Sequence, residues 1–475
     1  MAMTIRDAVR HTFARAGHLT REWLRLNWDR LYGVRSYVNT SLWVVPFIAL
    51  LVEQVIVRLT GAFGTWLAES GRIDAQHAFF GLAVSGARSA LETIVSMTLS
   101  FLVFTFGSLL VAVQVAGGQY TPRVIATIFL SNKVVRACVG LFVVTLFFAL
   151  RTLAEMDRAV DQLSAAVSAL LGLLSVVTFL FLIDYAARML RPVSIVANVG
   201  NLGLDVIRSV YPEQTGRRHR QEPSVQRSAA ERTLVNTGAS GVVLAVRVEQ
   251  LVDLASKADG TIEVVPQVGD FLAADEPLFH LYGGAATVSD ADLRATVALG
   301  VERTMEQDPS FAFRILVDIA IKALSAAIND PTTAVLAIDQ LHRLLRRVGL
   351  QDLRGERFRD EQGQVRVIFR TPNWEDFVHL SCTEIRHCGV GSIQIPRRMR
   401  AMLENLMQTL PPHRHAELRQ QLELLDQAVA GTYSVPADLA LARVADTQGL
   451  GGALGVHPEV DPSRIPIQRP PADRS

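Results

Sequence analysis

Between Leu91 and Val115 the chain reads LETIVSMTLSFLVFTFGSLLVAVQV, and Glu92 at its start is the one charged residue. Thr93, Ser96, Thr98, Ser100, Thr105, Ser108 and Gln114 bring hydroxyls and an amide into this otherwise hydrocarbon-soluble run. At about 100° per residue, Thr93, Ser96, Ser100, Gly107, Gln114 and Gly118 share a wedge of roughly 60°. Two kinds of chemistry use such a wedge. Small and hydroxylated residues let membrane helices approach and hydrogen-bond across their contact. The same groups can line a path for ions or small solutes. A helix surrounded only by lipid tails has no use for the wedge, so it is expected to face protein or water. Packing explains Gln114 least well, because a lone amide in hydrocarbon is costly.

Other residues carry chemistry elsewhere. Glu302, Glu306, Asp308, Asp318 and Asp330 are hard oxygen ligands of the kind Mg²⁺ or Ca²⁺ takes. Asp308-Pro309 and Asp330-Pro331 also read as N-caps followed by a proline at the first helical position, which occupies both aspartates without a metal. Arg314, Asp318 and Lys322 recur at i, i+4 and i+8 on a helix that is apolar nearly all round, and a buried Arg314–Asp318 pair would fix a subunit contact. A break is expected at Asn329, before Asp330. His379, Cys382, His387 and Cys388 form H-x2-C-x4-H-C, ligand types zinc accepts in a spacing unlike paired knuckles. No Walker loop, dinucleotide fingerprint, nucleophile elbow or H-E-x-x-H occurs, so no catalytic residue and no cofactor is assigned.

The elements that must hold these residues are largely membrane spans. Of 475 residues, 49% are hydrophobic and 20% charged, which suits a chain that is part membrane and part not. Net charge is +1, so no basic field points to nucleic acid. The three cysteines, Cys138, Cys382 and Cys388, make no disulfide framework. Four spans are expected, at about 42–59, 91–115, 134–150 and 163–183. Glu53 sits deep in the membrane if the first span is full length, and at its edge if that span ends early. The first 35 residues hold seven arginines and no apolar h-region, so no secretory signal is expected. Their Arg, Trp and apolar pattern suits a helix lying on an anionic membrane face. Arginines and lysines in the short flanks favour the side of this segment, of Arg123, Lys133 and Arg136, and of Arg188 and Arg191. Both termini are therefore expected in the cytoplasm.

After the spans, residues 192–211 read as a helix continuing out of the membrane, followed by a polar, Arg-rich linker. Residues 241–282 are β-rich, and V-P-x-V-G-D-F followed by P-L resembles hammerhead or barrel-sandwich modules. Lysine is absent from 260–281, which argues against a biotin or lipoyl arm. A short strand is expected at 366–370 and a largely helical run at 392–430. From Asp446 onward, Gly, Pro and charge without period read as disorder.

Three segments, VQVAGGQYTPR, ERTMEQDPSFAFRILVDIAIKALSAAINDPTTA and GVGSIQIPRRM, occur in this order in a chain with four spans. Together they resemble a bacterial predicted-membrane-protein family, domain of unknown function 2254. The resemblance implies an integral membrane protein of the bacterial inner membrane and carries no activity, catalytic residue or cofactor. The expected fold is a four-helix transmembrane domain plus a cytoplasmic α+β region containing a small barrel-sandwich-like β unit. Its segments are an Arg-rich stretch (1–40), the spans (41–190), an extension and linker (191–232), the β unit (233–283), the motif helices (284–349), an α+β region (350–445) and a tail (446–475). Two functions remain open. One is a homo-oligomeric conduit lined by Ser96, Ser100 and Gln114, with Gly107 giving room. The other is a membrane-anchored binding or scaffold module without transport. Lipid and further copies of the chain are the expected partners.

Overall fold

A computed structural model describes residues 43–69, 84–119, 132–155, 162–212, 229–353 and 357–452. The Arg-rich segment, the loop around Pro122, most of the polar linker and residues 453–475 lie outside the described residues. The chain divides into two compact units, one within Tyr37–Ile195 and the other within Val196–Ser475.

The first unit is a bundle of α1 (Val44–Glu69), α2 (Val84–Gln119), α3 (Lys133–Glu155) and α4 (Gln162–Met189). Helix α3 is the centre, packed by α1, α2 and α4. Val135, Cys138, Val139, Phe142, Val143 and Val144 of α3 form its core, and Phe142 is wholly enclosed. Residues such as Leu51, Val55, Val103, Leu110, Leu170 and Leu180 face outward. An apolar exterior around a packed interior suits a lipid solvent.

Next comes α5 (Pro192–Val210). Among the described residues five helices, α1 to α5, are thus long and apolar enough to cross a membrane, one more than the four expected. Length and composition alone raise α5 to that class. From Val196 onward it belongs to the second unit, where Val199 and Ile207 are wholly buried. Gly203 is packed so closely that a Cβ would meet the Ala312 Cβ at 2.9 Å and Leu344 at 3.1 Å.

The second unit continues with β1 (Arg232–Val235), β2 (Gly241–Val246), α6 (Val248–Lys257), β3 (Gly260–Val264), β4 (Phe271–Leu272), β5 (Pro277–Gly283), α7 (Asp290–Arg294) and β6 (Val297–Gly300). Then follow α8 (Pro309–Ala323), α9 (Pro331–Gly349), β7 (Arg357–Arg359), β8 (Val365–Phe369), α10 (Trp374–Gly389), α11 (Gln394–Thr409), α12 (His415–Thr432) and α13 (Pro436–Ala442). One sheet has the order β1-β5-β3-β8-β7 and the other β4-β2-β6. Both are open, so the barrel-sandwich expectation is corrected to two small sheets sharing one core. Strand β8 joins in parallel to β3, with Ile262 opposite Val367 and Val264 opposite Phe369. That pairing brings in a strand about a hundred residues away, which local pattern cannot reveal. The helical run expected at 392–430 is broken at Pro411 and Pro412, as two prolines require.

Residues 446–452 are also ordered. Asp446 is fully buried, and its carboxylate accepts from the amides of Gln448, Gly449 and Gly451. The expectation of disorder from Asp446 is corrected here. The signal was missed because side-chain-to-backbone bonds, not apolar period, organise this stretch.

Candidate functional site

Helix α2 buries Leu91, Thr98, Leu102, Thr105, Ala112 and Ala116 against the bundle. Thr93, Ser96, Ser100, Gly107 and Gln114 are all on its exposed face. The expected wedge therefore exists, and it points away from the other three helices. Two of its hydroxyls have partners within the helix. Thr93 Oγ1 donates to the Ser89 carbonyl and Ser100 Oγ to the Ser96 carbonyl, each at 2.8 Å. Back-bonding of this kind satisfies a serine or threonine inside its own helix, so such a hydroxyl tolerates lipid.

Depth divides the wedge. Ile94 meets Gly172, where a Cβ would come within 3.0 Å, and Phe101 stacks on Phe179 at 4.1 Å. Both contacts set α2 and α4 at an offset of 78 residues. The same offset puts Gln114 beyond Met189, the last residue of α4, and so beyond Asp184 and Arg188, which form an ion pair near the end of that helix. Gln114 thus lies past that ion pair. Thr93, Ser96 and Ser100 stay level with apolar parts of α4, and Gly107 is level with Tyr185, beside Asp184.

Glu53 is 3% exposed within an unbroken α1. Gln54 Nε2 donates to Glu53 Oε2 at 3.0 Å, and Arg151 Nη1 donates to Gln54 Oε1 at 3.4 Å. Arg151 pairs with Glu155 in the last turn of α3, so Glu53 is near the end of the bundle and has a polar neighbour. Two hydroxyl pairs the sequence reading did not single out join α3 to α4. Ser175 Oγ donates to Thr145 Oγ1 at 3.0 Å, and Ser168 Oγ to Thr152 Oγ1 at 3.3 Å. Matching seven-residue spacings on the two helices were the available signal.

In the second unit the motif segment from Glu302 to Thr333 joins the sheets to the helices. Gln307 Oε1 accepts the Val246 amide of β2 at 3.1 Å. Arg303 Nε donates to the Gly269 carbonyl at 2.9 Å. Asp308 caps α8 by accepting the Phe311 amide at 3.1 Å, and lies 3.6 Å from Arg303 Nε. Only 3% of Asp308 is exposed. Burial pushes its carboxyl up to about 6, against the opposing pull of Arg303 and two amides. Tyr211, at the end of α5, is raised by burial and by the nearby Asp308 and Asp376 charges. Gly269 has φ +93°, and a Cβ there would strike both Arg303 and Asp308.

Arg314 pairs with Asp318 on its own helix and with Glu384 on α10. That bond holds the Glu384 carboxyl below its usual range. Arg314 therefore ties α8 to α10 inside one chain, and the pair needs no second subunit. Lys322 lies in the last turn of α8. Asn329 takes φ +49°, a left-handed turn that asparagine tolerates, and Asp330 caps α9 through the Thr333 amide. Asp308, Asp318 and Asp330 fall into these separate roles, and Glu302 and Glu306 are exposed. Among the described residues, no group of three His, Cys, Asp or Glu converges as a metal site would require. On α10, Cys382 is fully buried and its thiol pushed up to about 12 by burial, whereas Cys388 is exposed. His379 sits 3.8 Å from Glu375, so H-x2-C-x4-H-C is spread round the helix.

Similar proteins exist in mycobacteria. "Uncharacterized protein Rv1290c" of Mycobacterium tuberculosis is 23% identical over 427 residues, which cover 87% of this chain and 81% of the relative. "Uncharacterized protein Mb1321c" of Mycobacterium bovis matches to the same extent. No solved structure matches significantly. The family described as "Predicted membrane protein (DUF2254)" matches residues 39–405, and this chain belongs to it.

Proposed function

We propose that the chain is a self-associating anchor of the bacterial inner membrane. Four spans form the bundle, and α5 remains outside the lipid with the α+β unit on the cytoplasmic side. The outer face of α2 lies against a second copy, so that α+β units are gathered at the membrane surface. One observation carries this reading: Ser96, Ser100 and Gly107 are exposed on α2 among the bulky apolar Leu99, Val103, Phe104, Phe106 and Leu110. Small residues gain contact when another helix approaches and gain nothing from lipid. The packing of Val199, Ile207 and Gly203 supports keeping α5 outside the membrane.

A conduit is the second reading, favoured by hydroxyls, rather than alanines, at Ser96 and Ser100. Its axis would lie between copies, because the interior of each bundle is filled by Phe142 and its neighbours. Native mass spectrometry of the detergent-purified protein separates the readings from their failure. Oligomers are expected for the parent, and Ser100→Leu or Gly107→Leu should yield folded monomers. A monomeric parent sinks both readings. Flux across liposomes that falls with Ser100→Leu supports the conduit; oligomers without flux leave the anchor.

A further inference from the structure

The segment after α13 is held in an unusual way. Its side chains contribute little to a core: Arg443, Thr447, Gln448 and Leu450 are exposed, and Leu450 is 76% so. Its main-chain carbonyls do the holding. Arg397 donates from Nε to the Val444 carbonyl at 3.1 Å and from Nη1 to that of Gly451. Arg398 Nη1 reaches the carbonyls of Asp446 at 3.0 Å and Thr447 at 2.8 Å. Gln394 Nε2 takes the Gly449 carbonyl at 2.7 Å. In return the Asp446 amide donates to the Arg397 carbonyl at 3.1 Å. Gly449, at φ +71°, lies against Val335 of α9, where a Cβ would come within 2.9 Å.

The receiving side belongs to the helices α9 and α11. Arg397 is entirely buried in α11, and Asp339 of α9 orients Arg398 through Nε at 2.6 Å. Gln394, Arg397 and Arg398 all belong to the GVGSIQIPRRM motif, inside the family-matched residues 39–405. The segment they grip lies beyond that match. A core strand or helix is retained by apolar burial, whereas a bound peptide is retained by its backbone groups. Asp446 adds the other half of that arrangement. By accepting three amides, it folds the segment into a compact loop with its carbonyls turned outward.

We infer that Gln394, Arg397, Arg398 and Asp339 form a peptide-binding site that reads a main-chain loop, and that residues 443–452 are its ligand in cis. The ligand class is a glycine-rich peptide whose internal carboxylate gathers its own amides. Arginine supplies the donors because several carbonyls must be satisfied by one planar group. The site binds such a loop whether or not it is joined to α12.

Cutting the covalent link tests this directly. A protease site inserted between Ser434 and Val435 of the full chain, purified in detergent, allows the 435–475 fragment to be released. A fluorescent peptide of residues 435–452 is then added to the cut protein. The peptide should replace the fragment, raising anisotropy while the melting temperature returns to that of the uncut chain. Arg398→Ala, whose side chain is near the surface, should weaken peptide binding about tenfold or more. A peptide with Asp446→Ala should bind worse than the parent peptide. The inference is overturned if the peptide fails to bind up to about 1 mM. It is equally overturned if loss of the fragment abolishes cooperative melting that the peptide cannot restore, since the segment would then be core.

Discussion

Asp308 holds the most consequential proton among the described groups of the α+β unit. Its carboxyl titrates near 6 in the folded chain, against about 3.8 as the ordinary value, because burial outweighs Arg303. An acid with a raised folded value binds its proton more tightly when folded. The corresponding stability is complete below about pH 3.8 and is lost as pH rises to about 6. Across that window it amounts to about 3 kcal/mol at most. Asp308→Asn keeps a good helix cap and removes the charge. The variant is expected to melt higher than the parent at pH 7, with the gap closing as pH falls toward 4. A constant gap in thermal melts at pH 7 and pH 4.5 would sink this account. Gly269→Ala should act oppositely at the same joint. Its φ of +93° and the adjacent Arg303 and Asp308 leave no room for a Cβ, so a loss of about 1–3 kcal/mol is expected in the same melts. Asp308 and Asp330 were legible as caps, since Asp-Pro before an apolar run states both cap and first helical residue. The burial of Asp308 was not legible, because Gly269 and Arg303 approach it through tertiary contacts.

Among the membrane elements, packing and hydrogen bonding can be weighed against each other. Thr145 Oγ1 donates to the Leu141 carbonyl at 2.9 Å while accepting from Ser175. Much of its polar requirement is thus met within α3. A double-mutant cycle of Thr145→Val and Ser175→Ala should give a coupling below about 1 kcal/mol. Phe142→Ala empties a wholly buried position, and should cost at least twice as much in detergent melts, because its cavity persists in any solvent. A larger loss from the hydroxyl pair would reverse that ranking. The position of α2 as a span was readable from its length and want of charge. Which face it turns inward was not. Its buried line of Leu91, Thr98, Leu102 and Thr105 is no more apolar than its outer line. In water the polar face points out by default; in lipid that rule has no force, and the wedge was assigned a buried or wet setting it does not have within one chain. The β elements show a different limit. Strands β2, β3 and β8 were recognisable by β-branched residues, but the partnership of β3 with β8 is set by distant packing.

For the molecule as a whole, the proposed arrangement of four spans puts both ends of the bundle's sequence on one side. Cys388 is a natural reporter of the α+β unit, for it is exposed while Cys138 and Cys382 are buried. A membrane-impermeant maleimide should label Cys388 from the same side as a cysteine installed by Ser36→Cys. Labelling from opposite sides would make α5 a fifth span and return the α+β unit to the outside. Helix α2 gives this architecture a mechanical property. Its 36 residues make a rod about 54 Å long, in a hydrocarbon layer of about 30 Å. Such a rod overshoots the slab by several turns, so membranes of different thickness must hide or uncover successive residues on it. Any copy-to-copy contact along that rod would then tighten or slip with lipid chain length, with no ligand required.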